Sequence, residues 1–298
     1  MNACALLAEP AVWTDDAFHG ELSDVLPDAV AAMPVLDSRS NATGPQWLLE
    51  ETPVALVYNG ITHAVMLATP QDLEDFAFGF SLGEAVIGQA RELFDIDIFS
   101  RPGGVEVAMH IDGGALQRLK HTRRMRTGRT GCGLCGVESL AQFDAASPLI
   151  QHRAPVGSVA LHRAMQALPR QQTLHQLTGA AHAAGWADLD GNLLLVREDI
   201  GRHNALDKLI GAMARAGLAP ANGFAVLTSR ASYEMVQKAA RANIGLLAAV
   251  SAPSALAVRM ADQAGMTLVG YVRDGRHAAY SHIDRLRVSQ TQSAFTTA

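Results

Sequence analysis

Cys132 and Cys135 form a CxxC pair inside the run TGCGLCG, directly behind a span from Arg118 to Arg129 that holds five arginines, one lysine and no acid. Such a pair can ligate a metal, cycle as a disulfide, or present a nucleophilic or sulfur-carrying thiol. Zinc needs four nitrogen or sulfur ligands in a structural site and three in a catalytic one. The pair supplies two, and the chain has no second CxxC and no HxxxH or HxH partner. A thioredoxin-like dithiol opens a helix after a strand, which a glycine-rich loop behind an arginine run matches poorly. A reactive thiol fits better, because nearby cations lower a thiol pKa from ~8.5. Arg123, Arg124, Arg126 and Arg129 carry the right sign, and Gly131, Gly133 and Gly136 let the loop reach a partner. The same basic run could instead dock an acidic surface or phosphates.

A second group of residues lies in four segments that each follow an apolar run: REDIGRHN (197–204), TSRAS (228–232), SAPS (251–254) and YVRDGR (271–276). If the apolar runs are parallel strands, these segments leave the carboxyl edge of the sheet, where open α/β sheets bind ligands. Arg202, Arg230, Arg273 and Arg276 would then face a common pocket. Guanidinium forks and helix N-termini bind phosphate, so a polyphosphate or nucleotide is the expected ligand. Any one arginine is as well explained by ordinary surface charge; four at one edge favour a ligand. REDIGRHN stands out by packing two acids, two arginines and a histidine into eight residues, more than a loop needs to turn a corner.

The elements that must position these residues follow from pattern. The chain has 298 residues, 49% hydrophobic and 18% charged, with net charge −5. That is enough for one large or two smaller globular domains, and it excludes a globally basic nucleic-acid coat. No apolar run approaches the ~18 residues of a membrane span, and the N-terminus lacks the order of a secretory signal. Few cysteines and no disulfide framework point to the cytoplasm. Residues 1–45 hold seven acids and one arginine and read as a flexible leader. From 46 to 130 an α+β unit is expected: a hairpin at Asn59-Gly60, a helix capped by Thr69-Pro70 with apolar Phe76, Phe80 and Leu82, strands at FDIDIFS and VEVAMHI, then the basic segment. Residues 131–157 form the CxxC loop and connection.

From 158 to 288 the pattern is α/β. A helix runs from about Ser158 over SVALHRAMQALPRQQTLHQLTG, followed by a hairpin at Asp190-Gly191 and three helix–strand alternations. These predict a mainly parallel mixed sheet with one antiparallel strand. Residues 289–298 are a tail. Hairpin-then-βαβαβ is also the layout of zinc-dependent cytidine deaminases, which place His-x-Glu and Pro-Cys-x-x-Cys at two successive helix starts. Here those places hold His203-Asn204-Ala205 and Thr228 to Ser232. The catalytic glutamate and both cysteines are absent, so deaminase chemistry cannot run on these residues.

TGCGLCG, REDIGRHNALDKLIG, LTSRASYEMVQKAARANI and YVRDGR, in this order and spacing, resemble the formate dehydrogenase accessory family of FdhD-type sulfur carriers over roughly residues 50–285. The resemblance implies cytidine-deaminase-like α/β/α layers without zinc, behind the smaller α+β unit, and a homodimer. It implies a sulfurtransferase that takes persulfide sulfur from a cysteine desulfurase to the molybdenum bis(guanine dinucleotide) cofactor of formate dehydrogenase. By position, Cys132 would bear the persulfide, with Cys135 as its partner. Tyr271, Val272, Arg273, Asp274, Gly275 and Arg276 would bind the cofactor, joined by Arg202, His203, Ser229 and Arg230 from the strand-end reading. Neither a nucleic-acid nor a membrane partner is implied. Two other classes compete: a cofactor-binding chaperone without sulfur transfer, and a zinc hydrolase of deaminase layout.

Overall fold

The computed structural model describes residues 28–39, 41–124, 148–151 and 154–287. Cys132 and Cys135, the basic residues Arg126 and Arg129, the tail 289–298 and residues 1–27 of the expected leader lie outside the described residues. The leader expected to reach residue 45 differs in its second part. There β1 (Val30–Asp37) and β2 (Ala42–Leu49) pair antiparallel, with Pro34 facing Pro45. Prolines give that stretch the look of a loop. What holds it is remote in sequence: Ala29 and Val30 are buried with Leu174 and Ala181, and Trp47 and Leu49 pack alongside.

The next unit follows the sequence pattern closely. β3 (Thr52–Tyr58) and β4 (Ile61–Ala68) turn at Asn59 and Gly60, whose φ values of 46° and 78° suit a two-residue hairpin. After α1 (Leu73–Gly83) come β5 (Leu93–Arg101), β6 (Gly104–Ile111) and α2 (Gly113–Arg124). The strand order is β4-β3-β6-β5, with β3 and β6 parallel. Val54, Leu56, Tyr58, Val107 and Met109 pack this sheet onto Phe76 and Phe80 of α1. Thr69 does not cap α1. Its hydroxyl accepts a hydrogen bond from the Ile200 amide at 3.1 Å, and the N-cap is Asp72, at φ 54° and without a side-chain cap bond. The basic segment is helical as far as Arg124.

In the second half β7 (Val156–Gly157) leads into α3 (Ser158–Ala167). Where one helix was expected, Pro169, which has no amide proton, falls in a 3-10 turn (Leu168–Gln171) that separates α3 from α4 (Thr173–Thr178). Then come β8 (His182–Asp188), β9 (Leu193–Asp199), α5 (Arg202–Arg215), β10 (Gly223–Leu227), α6 (Tyr233–Arg241), β11 (Leu246–Ala249), α7 (Ala255–Ala264), β12 (Thr267–Arg273), β13 (Arg276–Ser281) and β14 (Leu286–Arg287), which pairs with β7. The sheet order is β13-β12-β11-β10-β8-β9, with β10, β11 and β12 mutually parallel. Helices cover both faces. Leu206 and Leu209 of α5, Met235 of α6 and Ala261 of α7 bury one side, while Leu161 and Ala164 of α3 bury the other with Phe224, Val226 and Val269.

One antiparallel strand was expected, and there are two, β8 and β13. The second arises because YVRDGR does not leave the sheet as a loop. Asp274 and Gly275, at φ 52° and 72°, turn the chain straight back along β12, by the same chemistry that closes the hairpin at Asn59-Gly60. Among the described residues no helix is long and apolar enough to cross a membrane.

The two units join where α1 crosses α5. A Cβ on Gly79 would stand 1.7 Å from the Asp207 carbonyl oxygen, and one on Gly211 would stand 1.9 Å from that of Asp75. The helices therefore touch backbone to backbone, and any side chain would force them apart. Gly79→Ala and Gly211→Ala should each lose about 3 kcal/mol or more of stability in denaturant titrations. Gly113→Ala, at a position open to solvent, should stay within about 0.5 kcal/mol of wild type.

Candidate functional site

β8 runs antiparallel to β10, so its first residue, His182, lies at the edge where β9, β10, β11 and β12 end. REDIGRHN leaves β9 there, and most of its charge is committed within the fold. Arg197 donates to Asp75 at 2.8 Å, reaching from the sheet to α1. The Glu198 carboxylate accepts from the Leu174 and His175 amides at 2.8 and 2.9 Å and so caps α4. Asp199 pairs with Lys208 at 2.8 Å, both wholly buried, and accepts from the Thr69 amide at 3.0 Å and the Gly201 amide at 2.8 Å. Asn204 donates to Asp199 and to the Leu67 carbonyl. The density of this loop therefore stitches the α+β unit to the sheet rather than serving a ligand.

Two side chains of the loop are left for the edge. Arg202 opens α5, and its Nε is buried without a hydrogen-bond partner among the described residues. Nε2 of His203 lies 2.9 Å from Glu234 in the first turn of α6, an ion pair whenever the imidazole is protonated. At the next strand end Thr228 accepts from the Ala183 amide at 2.8 Å, and Ser229 is buried, donating to the Arg230 carbonyl. Arg230 is exposed. Ser232 stands at the N-cap of α6 without a side-chain cap bond. Pro253 bridges to Ala231, and Ser254 caps α7 by accepting from the Ala257 amide at 3.2 Å.

In the last segment Tyr271 occupies a bulge at φ 53°, its amide donating to the Ser251 carbonyl. Val272 is completely buried in the core facing α3, so only its backbone could meet a ligand. Arg273 and Arg276 face each other across the hairpin, and Tyr271, Asp274 and Gly275 are exposed with them. Arg202, His203, Ser229, Arg230, Arg273 and Arg276 thus share one sheet edge. The N-termini of α5 and α6, neither with a side-chain cap bond among the described residues, open there, and a helix N-terminus favours anions.

Sequence reasoning missed His182 and Glu234. Burial holds the His182 pKa below the usual imidazole value, and the charges of Arg202, His175 and His203 act in the same sense, against Asp199. The available signal was register: His182 pairs with Asp199, which no local pattern shows. On the other face His162 and His277 meet ring nitrogen to ring nitrogen at 3.0 Å, and burial, then His277, lowers the His162 pKa.

A histidine held below its ordinary 6.5 stays neutral in the fold while the unfolded chain takes up a proton. The stability it contributes is present above pH ~6.5 and lost as pH falls towards the lowered value. Asp207, pushed up to about 6 by burial against the pull of Lys238, acts in the opposite sense. Its contribution is present in acid and lost as pH rises through about 6. A difference measurement separates the two. Between pH ~7.5 and ~5.5, His162→Gln and His182→Gln should each lose less stability than wild type by denaturant titration, and an undiminished loss would contradict this.

The FdhD/NarQ family model matches residues 49–287. The chain is 51% identical over 247 residues to a sulfur carrier protein FdhD of Bordetella petrii, covering 83% of this chain and 89% of that one. It is 54% identical over 243 residues to the protein of that name from Cupriavidus necator, covering 82% and 84%. A crystal structure from Desulfotalea psychrophila, of a protein described as a formate dehydrogenase accessory protein, shares the fold. Its TM-score is 0.65 at 23% identity, covering 86% of this chain and 98% of that one.

Proposed function

The chain belongs to the FdhD/NarQ family, and on that premise we propose that it is a cytoplasmic sulfur carrier required by formate dehydrogenase. The observation that carries this reading is identity of about half, over four-fifths of the chain, to proteins named sulfur carriers. Cys132 accepts sulfur from the persulfide of a cysteine desulfurase. Its thiolate attacks the outer sulfur, the donor's S–S bond breaks, and the donor cysteine leaves as a thiolate. One S–S bond replaces another, without net oxidation. Cys135 is the partner thiol.

The acceptor is the molybdenum bis(guanine dinucleotide) cofactor, held by Tyr271, Arg273, Asp274, Gly275 and Arg276, with Arg202, His203, Ser229 and Arg230 extending the edge. Its phosphates suit the guanidinium groups gathered there. The sheet order β9-β8-β10-β11-β12, with helices on both faces, supports the cytidine-deaminase-like layering. The molecule works as a homodimer.

A cofactor chaperone without sulfur transfer is the second reading, favoured by the arginine edge alone, since that edge needs no cysteine. Incubation with a cysteine desulfurase and cysteine, followed by mass spectrometry, separates the two. Wild type should gain a sulfur atom and Cys132→Ala should not, and the variant should fail to activate formate dehydrogenase. Full activation by Cys132→Ala would establish the chaperone reading instead.

A further inference from the structure

Resting on the reading of the molecule as a homodimer, we propose that the β1–β2 ribbon of each copy lies face-on against the outer face of the α+β sheet of the other copy. The partner is a second copy of this chain, and the two contacts are equivalent.

The ribbon is built unlike a free hairpin. A strand pair with one face in water alternates apolar and polar side chains, but residues 30–36 read VAAMPVL, without a polar side chain among them. Register sorts the ribbon into two faces. Val30 and Ala32 share one with Leu49 and Trp47, and the base of that face is held against Leu174 and Ala181. Ala31, Met33 and Val35 share the other with Leu48, Gln46 and Gly44. Met33 and Leu48 on that second face are 47% and 41% exposed, so the described residues leave it uncovered. A two-stranded hairpin is marginal in water unless it packs against something.

The same chain leaves a second apolar surface open. In the α+β sheet Ala64 and Met66 of β4 turn towards the core under α1, so Val65 and Leu67 point the opposite way. These two are 59% and 54% exposed. Register places Pro53 beside Leu67 and Ala55 beside Val65, and Phe99 ends the row beyond Glu106. Exposed apolar side chains gathered on neighbouring strands mark an interaction surface.

Area decides how the two surfaces meet. A strand of eight residues spans about 26 Å and a two-strand ribbon is about 10 Å wide, so one face offers roughly 260 Å². Two ribbons pressed together would bury about 500 Å² in all, half of the roughly 1,000 Å² that a specific interface needs. Each ribbon laid on the other copy's sheet doubles the total to about 1,000 Å². A two-fold axis closes this exchange at two copies and leaves neither surface uncovered.

Sedimentation equilibrium of the full chain over a concentration series tests the exchange. Wild type should dimerise, and Met33→Leu should match it. Met33→Asp on the ribbon and Leu67→Asp on the sheet should each weaken the dimer about a hundredfold, tenfold for each of two equivalent contacts. Val65→Asp should act as Leu67→Asp does, and thermal unfolding checks that each variant keeps the fold. Met33→Asp mixed with Leu67→Asp should associate more tightly than either variant alone, because the mixed dimer keeps one contact in which neither residue is changed. A dimer undisturbed by either substitution, or no gain on mixing, would overturn the exchange and leave the homodimer standing. A wild type that stays monomeric would overturn the homodimer reading and the exchange with it.

Discussion

The ion pair of Asp199 and Lys208 sets the geometry on which the candidate site depends. Both side chains are fully buried, and a buried pair is tolerable only when its remaining hydrogen-bonding capacity is used. Here it is. Asp199 also accepts from Thr69, Gly201 and Asn204, while Lys208 also donates to the carbonyls of Thr69 and Glu198. The partners come from the end of β4, the end of β9 and the first turns of α5. One charge pair therefore fixes where the α+β unit meets the sheet and where the backbone of Gly201 and Arg202 opens towards solvent.

A second buried group backs up the same junction. Lys238 of α6 sits between Asp207 of α5 and Glu84 at the end of α1, at 2.8 and 2.9 Å. Burial opposes its charge, but the two carboxylates more than offset that and raise its pKa. One ammonium thus ties three helices beside the Gly79–Gly211 crossing. Arg197 and Arg215, both on Asp75, add a third tie at the other end of α1. Flat glycine contact sets the closeness of the helices, and the charges set their register.

Much of this architecture was legible locally. The Asn59-Gly60 hairpin, the strands of the α+β unit and the three helix–strand alternations follow from turn chemistry and periodicity, and the structure has them. Asp274-Gly275 carries the same turn signal, yet the segment reads as a loop when its arginines are taken as the main feature. The roles of Arg197, Glu198 and Asp199 were not legible at all. Their partners Asp75, Leu174 and Thr69 lie 122, 24 and 130 residues away. A dense charged loop looks the same in sequence whether it binds a ligand or its own fold. Arg202, Arg230, Arg273 and Arg276 could be placed at one edge because strand direction alone decides that.

The β1–β2 hairpin has a consequence for how the molecule behaves in a crowded solution. Pro34 and Pro45 face each other across its ladder, and neither has an amide proton. Such a pair fits only at a position where both amides would have pointed outwards. Among the described residues no further strand pairs with the hairpin, and each of its margins lacks a donor at the same level. A passing strand that tried to extend the ribbon from either side would meet a gap in its hydrogen bonding. With Met33, Leu36 and Leu48 exposed along this ribbon, the facing prolines act as a built-in guard against strand recruitment and aggregation.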